Sequence, residues 1–255
     1  MIPIRDHNPS GRTPYVVYLL MAANVLIFLS YVGVMNDARL INRILFDYAV
    51  IPARIMDGYG FQTLITSMFM HGGWMHLAGN LLFLWIFGDN LEEEMGHVPF
   101  LIFYLVSGIG AGLLHVFAAP ASTVPTIGAS GAIAGVMGGY FLLFPRARVD
   151  ILLFLIIYIR VIPIPAFVML GVWLGMQVLG GFGADPDQGG VAYWAHAGGF
   201  FVGLILCIPL WIRRGGPRYW RRTHGHPPHP AQEYEYSPSR IPRLPRKKNR
   251  GPWNP

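Results

Sequence analysis

Six stretches of this chain, near residues 14–34, 74–91, 98–118, 129–145, 165–182 and 192–212, stay apolar over about the 17–25 residues a helix needs to cross a bilayer. That repetition leaves few folds open, and an all-α membrane protein with six transmembrane helices is the expectation. Composition agrees: 53% of the 255 residues are hydrophobic and only 13% are charged, too apolar for an ordinary soluble domain. The stretch 151–182 is too long for one helix and is interrupted by Arg160, Pro163 and Pro165. Residues 151–164 are therefore expected to form an interfacial or irregular lead-in to the fifth span. The first span is over-long for a cleaved signal segment, lacks a small-residue cleavage site and precedes further spans, so it is expected to remain in the mature protein.

The net charge of +6 resembles a nucleic-acid signal until it is located. Residues 213–255 hold eleven of the nineteen Lys and Arg residues and only two acids, which leaves the rest of the chain net acidic. No nucleic-acid partner is expected. The tail, with "HGHPPHPAQEYEYSPSR" and "RKKNRGPWNP", is rich in Pro and Arg and poor in aliphatics, the composition of a disordered, solvated stop-transfer segment. Six spans put both termini on one side. That side carries Arg5, Arg12, Arg146, Arg148 and the tail, while the opposite loops after spans three and five carry no Lys or Arg, so both termini are expected to be cytoplasmic. The first outside loop, 35–73, balances Arg39, Arg43 and Arg54 with Asp37, Asp47 and Asp57 and reads as a partly structured, amphipathic insertion. The single cysteine, Cys207, lies in an apolar run and excludes an internal disulfide.

Three polar clusters interrupt the apolar spans at one depth. His71, His76 and Asn80 in "HGGWMHLAGN", Ser130 in "GASG" and His196 in "YWAHAGG" all sit at the N-terminal ends of even-numbered spans, which lie in the outer leaflet. His76 and Asn80, four residues apart, share a helical face. Gly131, Gly135 and Gly139, with Gly199 and Gly203, repeat at four-residue spacing and would let spans four and six pack backbone to backbone, with Gly138 off that stripe. Such packing could bring a hydroxyl to an imidazole, the nucleophile–base pair of covalent acyl chemistry. Each piece has a plainer reading. The serine could be interhelical glue, and the glycine stripes alone say only that the bundle is tightly packed. An intramembrane histidine points to function by default. His71, His76 and His196 could ligate a metal, but there is no HExxH motif and no carboxylate or cysteine near them in the spans, so no metal and no cofactor are expected. Glu92, Glu93 and Glu94 read most simply as a solvated cluster ending the second span.

In the order "HGGWMHLAGN", "GDNLEEEMG", "GASGAIAGVMG" and "AHAGGFFVG", over about residues 62–212, the sequence resembles the rhomboid intramembrane serine proteases. The combination His-x4-His-x3-Asn, Gly-x-Ser-Gly and Ala-His-x-x-Gly-x-x-x-Gly is specific where each part alone is weak. The resemblance implies a six-transmembrane-helix rhomboid-like bundle over 14–212, between a cytoplasmic N-terminus, 1–13, and the disordered basic tail, 213–255. It implies Ser130 as nucleophile and His196 as general base, a dyad with no third carboxylate. It implies an oxyanion hole from His76, Asn80 and the Ser130 backbone N–H, with Gly128 leaving room beside the nucleophile. His71 matches a histidine at the mouth of the site, and Glu92 a structural carboxylate on the cytoplasmic side. The implied partners are transmembrane protein substrates within a lipid bilayer.

Two departures stand out. Many members carry an aromatic residue four positions after the serine, on which the base stacks; here it is Ala134, so the base must be held otherwise. Gln62 and Thr63 replace the Trp-Arg pair that many members carry in the first outer loop. A catalytically inactive rhomboid-like protein that binds membrane clients is the alternative, although such relatives lose the serine, the histidine or both. A small transporter would call for an ion-coupling carboxylate within a span or an internal repeat, and neither is visible. The opening "MIPIRDHNP" and the compact design suggest a bacterial cytoplasmic membrane.

Overall fold

The computed structural model describes residues 2–8, 10–155, 158–183 and 190–226. Strand β1 (Ile2–Asp6) precedes helix α1 (Tyr15–Tyr31). The first loop then folds into α2 (Ala38–Tyr48), α3 (Pro52–Met56) and α4 (Thr63–Thr66). Helices α5 (Trp74–Met95), α6 (His97–Ala118) and α7 (Ser130–Leu143) follow, then strands β2 (Arg148–Leu155) and β3 (Tyr158–Pro165), and finally α8 (Ala166–Gly183), α9 (Tyr193–Arg213) and α10 (Pro217–Thr223).

A helix occupies each of the six apolar stretches. Four segments among the described residues are long and apolar enough to cross a membrane: Tyr15–Val34, His97–Ala118, Ala166–Gly183 and Tyr193–Arg213. The other two differ for physical reasons. Helix α5 carries Asp89, Glu92, Glu93 and Glu94 in its last two turns. Helix α7 has 14 residues, about 21 Å of rise.

Helix α7 is the centre of the bundle, and every residue from Gly131 to Tyr140 is buried. In lipid there is no hydrophobic drive between helices, so close packing must come from small residues that let backbones approach. A Cβ on Gly199 would overlap the carbonyl of Gly131, and one on Gly203 the carbonyl of Gly135, so α7 and α9 do meet backbone to backbone. The expected face needs correction. A Cβ on Gly138 would overlap the Phe200 carbonyl of α9, whereas a Cβ on Gly139 would point to Leu91 and Phe103. Four-residue steps drift by about 40° each on a helix of 3.6 residues per turn, so Gly138, seven residues from Gly131, shares its face and Gly139 does not.

Glu92 is buried, against the solvated reading. Its two carboxylate oxygens accept from the Val16 and Val17 backbone N–H groups at 2.9 and 2.8 Å, and His97 Nδ1 approaches one of them. Helix α1 begins after Pro14 with no side-chain cap of its own. A carboxylate from α5 thus satisfies two of the donors that a helix N-terminus leaves open. Gly96 alone links α5 to α6, at φ +84, a backbone conformation that favours glycine.

The fold is mostly helical, and the all-α expectation fails at one end. Strands β1, β2 and β3 form an antiparallel sheet in that order, with Val149 opposite Ile164, Ile151 opposite Ile162 and Arg5 opposite Asp150. Residues 151–155 and 158–164 are strand, so the described part of the expected lead-in is regular rather than irregular. Pro163 and Pro165 exclude a helix but are tolerated in β3, an edge strand. Residues 1–13 are more than a terminus: β1 extends the sheet, and buried Asp150 accepts from Arg5 Nε at 2.7 Å and pairs with His7 Nε2 at 2.7 Å. Asp6 accepts from the Tyr140 hydroxyl at 2.8 Å and from Asn90 Nδ2 at 3.2 Å, tying β1 to the foot of α7. The tail is ordered beyond 213: Arg213 ends α9, and α10 docks through buried Tyr219 and a bond from Trp220 Nε1 to the Leu142 carbonyl at 2.8 Å. The disorder expected for the remainder falls on 227–255, outside the described residues.

Candidate active site

Ser130 is the first residue of α7, and His196 lies in the first turn of α9. The glycine contacts just below hold the two helices close enough for their ends to meet. Ser130 Oγ stands 2.7 Å from His196 Nε2. The pair opens into a cavity of about 1330 Å³, also lined by His76, Asn80 and Trp173.

His196 is held from the other side by α8. Its Nδ1 lies 2.9 Å from Gln177 Oε1, and the Trp173 ring sits 5.9 Å from the imidazole at an interplanar angle of 32°. Ala134, at the position where an aromatic residue was missed, is fully buried in the bundle core. Neither α8 residue was singled out from the sequence. The available signal was a lone amide in an otherwise apolar span, four residues after a tryptophan and so on the same helical face.

The remaining candidates surround the serine. His76 Nδ1 accepts from the Gly72 N–H at 3.3 Å. Asn80 is buried, and its Nδ2 finds no partner among the described residues. Gly128 adopts φ +131, and a Cβ there would lie 2.7 Å from His76 Nε2 and 3.5 Å from Ser130 Oγ. A bare α-carbon therefore preserves the space between the two. The N–H groups of the first turn of α7 are donors that a helix N-terminus leaves open. His71 departs from the expected mouth position: it is fully buried behind His76, ring centroids 5.2 Å apart, and its backbone N–H donates to the Tyr31 hydroxyl at 2.6 Å. Among the described residues no group of three or more His, Cys, Asp or Glu side chains is placed to hold a metal.

Between α1 and α5, the partly structured insertion is as expected. Asp37 caps α2 by accepting from Arg39 and Leu40 N–H groups at 2.9 and 3.1 Å, and the Arg54 guanidinium lies over the Phe46 ring. Thr63 is buried and donates to the Gly60 carbonyl at 2.6 Å, which closes a local turn where the Trp-Arg pair is missing.

Residues 60–213 match the Rhomboid domain. Rhomboid protein 1, mitochondrial, of Saccharomyces cerevisiae is 35% identical over 150 residues, covering 56% of this chain and 40% of that protein. RHOMBOID-like protein 4 of Arabidopsis thaliana is 33% identical over 188 residues, 71% of this chain and 42% of its own. Rhomboid protease GluP of Bacillus subtilis is 27% identical over 198 residues, 77% of this chain and 36% of its own. The chain thus spans less than half the length of each of these relatives. Their names point to mitochondria and plants as well as to a bacterium, and lend no support to the bacterial cytoplasmic membrane expected above. With a Rhomboid domain over more than half its length, the chain is a multi-pass membrane protein and belongs to the rhomboid family.

Proposed function

We propose that this protein is an intramembrane serine endopeptidase that cleaves transmembrane segments of other membrane proteins. The 2.7 Å approach of Ser130 Oγ to His196 Nε2 at the wall of a cavity carries the reading. Ser130 Oγ attacks the scissile carbonyl carbon while its proton passes to His196 Nε2. The oxyanion forms in the space preserved by Gly128, where Asn80 Nδ2, His76 and the Ser130 N–H are the donors. Each such donor is worth about 2.7–4 kcal/mol of transition-state stabilisation. Collapse of the tetrahedral adduct breaks the C–N bond, and His196 returns its proton to the leaving amine. Water entering the cavity then attacks the acyl-serine carbonyl as His196 takes its proton, and collapse of that adduct breaks the C–Oγ bond while His196 returns the proton to Ser130 Oγ. Every group in the scheme is uncharged at rest, which suits a site at bilayer depth.

In this reading α5 and α7 complete a six-span bundle over 14–212, with both termini cytoplasmic and the cavity open to the opposite side. A substrate helix has its backbone groups satisfied internally, so it must unwind before Ser130 can reach a carbonyl. Helix α8, with only Ala166, Leu170, Gln177 and Gly181 buried, is the natural side entrance. The test is labelling by a fluorophosphonate probe in detergent, together with cleavage of a membrane substrate in liposomes. Both should depend on Ser130. Absence of Ser130-dependent labelling would return the chain to the inactive, client-binding class.

A further inference from the structure

The Ser–His pair leaves one imidazole nitrogen to be accounted for. His196 Nδ1 faces Gln177 Oε1 at 2.9 Å, and the same amide points Nε2 at the Trp173 carbonyl, 3.4 Å away. That second contact decides which way the amide lies. Reversed, it would set Oε1 against the Trp173 carbonyl, two acceptors face to face in a buried site. With Oε1 toward the ring, Nδ1 must carry the hydrogen, and Nε2 is left with its lone pair aimed at the serine hydroxyl. That is the tautomer able to take the Ser130 proton. The opposite tautomer would present an N–H to Oγ and could not act as base.

Resting on the serine-protease reading above, we propose that Gln177 is a positioning residue that fixes the tautomer and orientation of His196, a neutral counterpart to the carboxylate of a three-residue triad. Trp173 restrains the ring from the same helix, one turn away. A neutral amide meets the requirement that a carboxylate meets in water, because an ionised acid at this depth carries a large desolvation cost. The orienting group also lies on α8 while serine and base lie on α7 and α9. Displacing α8 from α9 therefore separates Gln177 from His196 and leaves the ring free to turn. The base is correctly set only when the side entrance is closed.

The experiment uses the full chain in liposomes with a cleavable membrane substrate, comparing wild type, Gln177→Leu, Gln177→Glu and Ser130→Ala. Gln177→Leu keeps the shape and removes the acceptor. Its kcat should fall about tenfold or more, the scale of one lost hydrogen bond to the reacting base, with KM within about twofold and the melting temperature unchanged. Gln177→Glu, which offers an acceptor at the same place only once its buried carboxyl ionises, should recover kcat progressively as pH is raised. Ring 15N shifts of His196 in histidine-labelled protein should report one tautomer in wild type and a mixture in Gln177→Leu. Wild-type kcat and a single tautomer in Gln177→Leu would overturn the proposal, and so would equal losses in the Leu and Glu variants at every pH tested. Failure of the protease reading is distinct: Ser130→Ala would then match wild type.

Discussion

Gly138 of α7 and Phe200 of α9 are in backbone contact, the α-carbon of one set against the carbonyl oxygen of the other with no room for a methyl group between them. Gly138→Ala should therefore force the two helices apart. Overpacking of this kind costs about 1–3 kcal/mol, and the melting temperature in detergent should fall along with activity. Gly175→Ala on α8, where a Cβ would meet none of the described residues within 4 Å, is the control and should melt no lower than wild type. Equal melting of Gly138→Ala and Gly175→Ala would contradict the contact.

Ser130→Ala and His196→Ala should each abolish cleavage, and the double variant should be no worse than either, since members of one catalytic unit do not add. Chelators such as EDTA should leave cleavage unchanged. Substantial turnover by either single variant would refute the dyad.

Glu92→Ala removes the acceptor for the Val16 and Val17 N–H groups inside a buried junction of α1 and α5. Losing a helix cap and stranding buried donors together cost about 2 kcal/mol. Glu93→Ala is the comparison, because among the described residues Glu93 accepts from the exposed Gly11 N–H alone. Thermal unfolding should separate the two variants clearly, and identical melting curves would show that the cap carries no weight.

Burial raises Asp6 from 3.8 to about 7; the Tyr140 hydroxyl opposes the shift and nearby Asp89 adds to it. The docked strand therefore holds the Asp6 proton more tightly than a released one does. Its contribution is full below pH 4 and is lost as pH rises through about 7. Melting temperature should fall across that window in wild type relative to Asp6→Asn, which cannot ionise. Parallel pH profiles for the two proteins would rule out this linkage.

Apolar length alone located the six helices, because a bilayer imposes length and apolarity on any segment that crosses it. Ser130, His196, His76 and Asn80 were legible for a related reason: polar groups in lipid are costly, so their positions carry information. What escaped was tertiary. Strands β2 and β3 were masked by prolines that read as breaks in a helix and are equally at home in an edge strand. Gln177 was hidden by being neutral, and Gly138 by a four-residue count where the helix face runs over seven. Tyr219 and Trp220 lie in a segment whose arginines suggested solvent, yet its two aromatics dock.

Strand β3 passes into α8 with no residue between them, Pro165 closing one and Ala166 opening the other. Ala166 N–H is in turn tied to the Ala147 carbonyl at 2.7 Å. Since β1 and β3 flank the same β2, the head of the chain and the foot of α8 are mechanically in series. A load applied to the N-terminal strand, by a fused domain or a tethered partner, would run along the hydrogen-bond ladder as shear and reach the root of the helix that bears Trp173 and Gln177. The N-terminal strand is thereby a lever arm whose fulcrum is β2, the strand it shares with β3.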